Sequence, residues 1–283
     1  MSNHNYLSIY AKSFSWAGFF LPKKTYLECS ALYDFCRTID NIVDEDGELH
    51  IKKKKLSNFK SNFTNKNYDY FIIKNMWDLI KNFNISQKII DDLFDGVETD
   101  LRERVQLISK KDLLIYSYRV AGTVGLMMAK ILNVKDHNAL KSAIDLGIAM
   151  QLTNISRDVV EDSRNNRSYI DANFDSIRDA LKLADLFYES SFVSIKKIPI
   201  NFRFSILVAR RVYRKIGHNI LKKKNFENYK NAGKIYVTNI GKINQTILSI
   251  YDLIKLSLIK PSEHLRVKEH LTINEEIDLN ERF

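Results

Sequence analysis

Helix breakers are nearly absent from this chain, with 9 glycines and 3 prolines in 283 residues, where an average protein carries about 7% and 5%. Tight hairpins need such residues at set positions. A fold of many short strands is therefore excluded, and long uninterrupted helices are expected. The apolar period places them near 24–44, 69–84, 86–105, 110–134, 138–163, 175–196, 201–224 and 234–259, with a shorter one near 6–19. Pro22 and Pro199 fall at joints and Pro261 follows the last apolar period, where proline is tolerated. No repeat of fixed period and no linker-like stretch interrupts the pattern. The expectation is a single all-α domain over 1–260, followed by a charged tail over 261–283 that is either loose or docked.

Lysine and arginine outnumber aspartate and glutamate 44 to 34. A basic surface suits nucleic acid, an anionic membrane or a polyphosphorylated substrate, and a lysine-rich solvated surface explains it equally well. Nucleic acid is the weakest partner, because the lysines are not interleaved with an aromatic platform and carry no recognised binding motif. Cys29 and Cys36 are seven residues apart, which is neither a metal nor a disulfide signature. Reduced thiols and a cytoplasmic location follow most simply. The N-terminus lacks an apolar run after a basic start, so no secretory signal is read there. Leu113 to Val134 is long enough to span a bilayer, but Arg119, Lys130 and a cluster of small residues favour a buried helix.

Acid placement is the chemical signal. In "YDFCRTIDNIVDE", Tyr33, Arg37, Asp40 and Asp44 share one helix face. Like charges at i, i+4 repel unless something neutralises them, so a cation is expected opposite. In "GIAMQLTNISRDVVEDSRNNRSYI", Gln151, Asn154, Asp158 and Asp162 form a matching stripe on a helix apolar on most other sides, hence buried. Buried carboxylates must be neutralised, paired or metal-bound. Two such helices face to face would gather four aspartates, an all-oxygen ligand set suited to Mg²⁺ shared with substrate phosphates. The competing reading is a pair of solvated acidic faces with lysine partners. Between the stripes, Tyr116, Val120, Ala121, Val124, Gly125 and Met128 line one face, and Gly122 and Gly125 each cost about 1 kcal/mol in a helix interior. Close helix packing and a groove for a long apolar ligand explain them equally well.

The segments "YDFCRTIDNIVDE", "YSYRVAGTVG" and "QLTNISRDVVED" resemble, in order, the three signature segments of the squalene/phytoene synthases. "AKSFSWAGFFLPKK", "DGVETDL" and "NYKNAGKIYV" extend the similarity over most of the chain. Within that family the chain is most similar to bacterial-type phytoene synthases. The resemblance implies a single-domain isoprenoid synthase bundle around a central cavity. It also implies head-to-head condensation of two geranylgeranyl diphosphates to phytoene through prephytoene diphosphate, with Mg²⁺ (or Mn²⁺ in its place) and without NADPH. Asp40, Asp44, Asp158 and Asp162 would hold the metal. Arg37 and Arg157 would contact diphosphate, helped by Ser13, Tyr33, Tyr229 and, secondarily, Arg167. Gln151 and Asn154 would present neutral dipoles to the carbocation, and Tyr116, Val120, Ala121, Val124 and Gly125 would line the prenyl channel.

Prenyl diphosphates are then the substrates, downstream carotenoid enzymes the partners, and the inner face of the membrane a peripheral docking place, through Trp16, Phe19, Phe20, Lys23 and Lys24. None of the six histidines lies in the three segments, consistent with bound diphosphate taking the final proton. The chain departs from the family pattern at Tyr10, Asn41 and Ile170-Asp171. These positions flank the aspartates and leave open a C30 alternative, making squalene, dehydrosqualene or presqualene diphosphate from farnesyl diphosphate. Arg167 and Arg164 are also read as simple helix C-terminal cations. A non-catalytic assembly factor is disfavoured, since all four aspartates are present.

Overall fold

A computed structural model describes residues 12–107, 109–260 and 263–283. The chain begins with α1 (Lys12–Gly18) and turns into α2 (Lys23–Asp44), which starts directly after Pro22. Cys29, Leu32, Phe35, Cys36, Ile39 and Val43 recur at helical spacing and give α2 its buried face. The cysteines are buried and free. The next helix, α3 (Leu49–Thr64), has no counterpart in the sequence expectation. Its lysine-rich run buries only Leu56 and Phe63, one residue every second turn, too sparse for a periodicity argument. Phe63 stacks on Trp77 at 5.1 Å and touches Phe35 and Phe94, so aromatic contacts fasten α3 to α2, α4 (Phe71–Phe83) and α5 (Gln87–Thr99).

Helix α5 stops at Thr99, earlier than the expected 105, and Asp100 caps its end. The residues beyond form β1 (Val105–Gln106), paired in parallel with β2 (Arg167–Ser168). The long helix expected over 110–134 is α6 (Lys110–Ser117), a π-helical turn (Tyr118–Gly122) and α7 (Thr123–Ile131). A capping box between Ser109 and Asp112 starts it. π-turns insert one residue and re-aim their neighbours, and they recur at functional sites. Here the turn coincides with the "YRVAG" segment.

Helix α8 (His137–Arg164) starts at an Asp136 cap that accepts the Ala139 N–H at 3.0 Å. At 28 residues it is about 42 Å long. It is the hub of the fold, with α7, α9 (Phe174–Ser194) and α10 (Ile200–Leu221) packed on it. Helices α7 and α8 approach closely because a Cβ on Gly125 would collide with the Ala143 carbonyl, and one on Gly147 with the Ala121 carbonyl. The expected 234–259 helix is shorter, α12 (Asn239–Leu258), preceded by a separate short helix α11 (Phe226–Asn231).

The tail is docked. Helix α13 (Val267–Asn274) and the turn after it add Ile273, Ile277 and Leu279 to the core, and Arg282 grips the buried Asp92 with two bonds of 2.9 Å. No helix among the described residues is long and apolar enough to cross a membrane.

Candidate active site

One cavity lies between α2, the end of α5, the π-turn and α8. Asp40 and Asp44 from α2 and Gln151, Asn154, Asp158 and Asp162 from α8 line it, with Tyr116, Val120 and Arg167. The facing stripes expected from sequence thus meet. Arg167 reaches the cavity because the β1–β2 pair holds its backbone beside Val105, and its Nη1 donates to Asp44 Oδ1 at 3.0 Å. It lines the cavity instead of only closing a helix C-terminus. Arg157 binds Asp158 through Nε at 2.9 Å, and Lys234 stands 3.5 Å from the same carboxylate.

Each stripe therefore has one aspartate paired with protein cations and one that is not. Asp40 and Asp162 form no ion pair among the described residues. Burial first, and then Asp44, push Asp40 up to about 7 against the pull of Arg37. Burial, then Asp158, do the same to Asp162, also to about 7. Two oxygen ligands that resist ionisation until near neutrality are a site short of positive charge. Four carboxylates on one cavity, with two uncompensated, fit a hard divalent cation.

Sequence reasoning missed Asp100 and Tyr169, both on the cavity wall. Asp100 accepts from Tyr169 Oη at 2.6 Å and from Tyr116 Oη at 2.9 Å, and the two rings stack at 4.7 Å. Burial raises the Asp100 carboxyl despite these donors. The signal was present, because an aspartate capping a helix C-terminus opposes the helix dipole and wants a reason. Val43, Val97, Val120 and Ile155 supply the apolar part of the wall.

Several expected residues sit outside the lining. Ala121, Val124 and Gly125 are not on the cavity wall, and Gly125 serves the α7–α8 contact, the packing alternative of its two readings. The π-turn explains the split, sending Val120 to the cavity while the Ala121 carbonyl faces Gly147. Tyr33 and Arg37 lie on α2 within electrostatic reach of Asp40. Tyr229 is buried and donates to the Arg157 carbonyl at 2.7 Å, so it supports Arg157 from behind. The Ser13 side chain, Tyr10 and Pro261 lie outside the described residues.

A second group with metal-ligand chemistry, Asp145, His264 and His270, is fully buried. Asp145 Oδ2 and Oδ1 lie 2.8 and 2.7 Å from the two histidine Nε2 atoms. The His270 Nδ1 atom is buried without a hydrogen-bond partner. Separations of 2.7 and 2.8 Å are direct hydrogen-bond contacts between imidazole and carboxylate. The group is therefore a hydrogen-bonded clasp that ties the tail to α8.

Residues 7–174 match the family described as squalene/phytoene synthase. A 15-cis-phytoene synthase from a Paracoccus species is 38% identical over 149 residues, which are 46% of this chain and 49% of that protein. The aligned part thus spans about half of that relative. A phytoene synthase from Cereibacter sphaeroides is 30% identical over 241 residues, 74% of this chain and 68% of that one. Among solved structures, a dehydrosqualene synthase in complex with ligand superposes with a TM-score of 0.71 at 25% identity, over 88% of this chain and 94% of that one. With facing aspartate stripes on an all-helical frame and a profile match across more than half its length, the chain belongs to the squalene/phytoene synthase family.

Proposed function

We propose that this protein is a prenyltransferase that condenses two geranylgeranyl diphosphates head to head, through prephytoene diphosphate, to phytoene for carotenoid biosynthesis. The observation that carries the reading is the single cavity lined by Asp40, Asp44, Asp158 and Asp162, in a chain similar to two named phytoene synthases. The four carboxylates would hold divalent metal, Mg²⁺ by preference and Mn²⁺ as a substitute, which when bound offsets the charge of the departing diphosphate as a Lewis acid.

The chain's own residues do the rest. Arg167, Arg157 and Lys234 pair with one carboxylate in each stripe, so part of the acidic charge is balanced before metal binds. Arg37, one helical turn before Asp40, adds positive charge beside the diphosphate position, with Tyr33 next to it. Asn154 and Gln151 turn neutral amide dipoles to the cavity, which orient a cationic intermediate without quenching it. Val43, Val97, Val120 and Ile155 keep water away from that cation. Tyr116 and Tyr169 hold Asp100 in place by their hydroxyls. No histidine lines the cavity among the described residues, and in this reading bound diphosphate takes the last proton. The reaction needs no NADPH, and the product passes to a membrane surface and to downstream carotenoid enzymes.

A C30 reading, starting from farnesyl diphosphate, is supported by the likeness to the dehydrosqualene synthase structure. The test is purified protein with Mg²⁺ and either geranylgeranyl or farnesyl diphosphate, without NADPH, followed by mass analysis of the hexane extract. A C40 hydrocarbon that disappears in Asp158→Ala is the expected result. A C30 product would shift the substrate assignment, and no product from either diphosphate would refute the catalytic reading.

A further inference from the structure

Helix α12 is built inside out. Its protein-facing side buries Lys242, Ser249, Asp252 and Leu256, with Arg211 Nη2 holding Asp252 at 2.6 Å. Its outer side carries Ile240, Ile243, Ile247, Ile250, Ile254 and Leu258, between 47% and 80% exposed. Spacings of three and four residues make these a single stripe along a helix of 20 residues. An amphipathic helix normally turns its apolar stripe inward. A continuous outward stripe of this extent marks a surface made for an apolar partner.

We propose that α12 lies in the surface of an anionic lipid bilayer, with this stripe in the acyl boundary. Charge selects that occupant. From Asn239 to Lys260 the only acidic residue is Asp252, which is buried, whereas Lys255 and Lys260 are exposed. Tyr236 and Tyr251, 68% and 62% exposed, offer ring and hydroxyl at the level where lipid headgroups meet chains. The surface continues onto α1, whose Trp16 Nε1 bonds Thr246 Oγ1 of α12 at 2.9 Å. Just beyond α1, Phe19 is 79% exposed and Lys23 and Lys24 follow it, also exposed. A second copy would set these lysines against their own kind in a chain of net charge +10, whereas anionic headgroups neutralise them. The lipid contact rests on the phytoene-forming reading only for its purpose, giving an apolar product a way out that avoids water.

The experiment is co-sedimentation of the full chain with vesicles of phosphatidylcholine alone and of phosphatidylcholine with phosphatidylglycerol in equal parts. Wild type is expected to pellet with the anionic vesicles. The double variant Ile247→Glu/Ile254→Glu should bind about tenfold more weakly or worse, and Ile247→Ser/Ile254→Ser should follow it if the charged pair folds poorly. Both should keep turnover of detergent-dispersed substrate, which separates loss of docking from failure of the catalytic reading. Wild type that ignores both vesicles, or variants that bind as well as wild type, overturns the proposal. A wild-type dimer by light scattering that either double variant turns into monomer overturns it in favour of self-association.

Discussion

Replacing Asp40 by asparagine should stabilise the metal-free protein while disabling it. The Asp40 carboxyl sits at about 7 instead of the ordinary 3.8, pushed there by burial and by Asp44. At about 1.4 kcal/mol per pH unit, an ionised Asp40 costs the fold at most about 4 kcal/mol. Solvent in the cavity screens part of this, so the expected gain on removing the charge is about 2 kcal/mol, or roughly 3–4 °C in Tm for a chain of this size. Asparagine keeps the shape and an acceptor oxygen, so little is lost in exchange.

The pH dependence carries the distinguishing sign. The folded state holds the Asp40 proton more tightly than the unfolded state, so stability falls as the pH rises from about 4 through about 7. The advantage of Asp40→Asn should be largest above pH 7 and shrink by more than half at pH 5, where the wild-type carboxyl is already neutral in the fold. Thermal unfolding of both proteins in a chelator at pH 5 and pH 8 measures this. No gain at pH 8, or an equal gain at both, would refute the claim that uncompensated charge shapes this site.

Three further outcomes follow from particular contacts. Gly125→Ala should cost about 1–3 kcal/mol, because its Cβ meets the rigid Ala143 carbonyl and not a movable side chain; denaturant melts would show it. Tyr169→Phe removes the 2.6 Å bond to half-buried Asp100 and should lower stability by about 1–3 kcal/mol; an unchanged midpoint would mean that Tyr116 alone satisfies that carboxylate. Arg282→Ala should cost about 3–5 kcal/mol, since it strips the paired charge from buried Asp92 and leaves only the Tyr118 hydroxyl; near-neutral behaviour in urea unfolding would mean that the tail is an ornament.

Legibility tracked how much of each feature is local. The two aspartate stripes lie on single helices, so the 3.6-residue period exposed them, and α2 and α8 supply the facing carboxylates. Arg167 was harder, because its place depends on a parallel contact with a segment about 60 residues earlier. Asp100 lies in the "DGVETDL" segment, where nothing local gives it a role, since its partners Tyr116 and Tyr169 come from other segments. The stripe on α12 was visible as a period but not as a direction. Periodicity says that one face differs from the other, and contacts from elsewhere in the chain, such as the Arg211–Asp252 pair, set which face is out.

Helix α8 supplies its own control for the charge argument. Asp145 and Asp162 stand on the same helix, and both are penalised by burial. Yet Asp145 is held below the usual carboxylate range, because hydrogen bonds from His264 and His270 outweigh that burial, while Asp162 is pushed up to about 7. Burial is common to the two sites, so the difference lies in the donors. The tail brings two imidazoles to Asp145, and Ser190 adds a hydroxyl at 3.3 Å. At Asp162 the fold brings the repelling Asp158 and leaves the facing side to a cavity. A chain able to satisfy one buried aspartate of α8 so completely has left another unsatisfied at the mouth of its cavity. The counter-charge for that second carboxylate is then expected to be a divalent metal, which the anionic diphosphate of the substrate helps to hold.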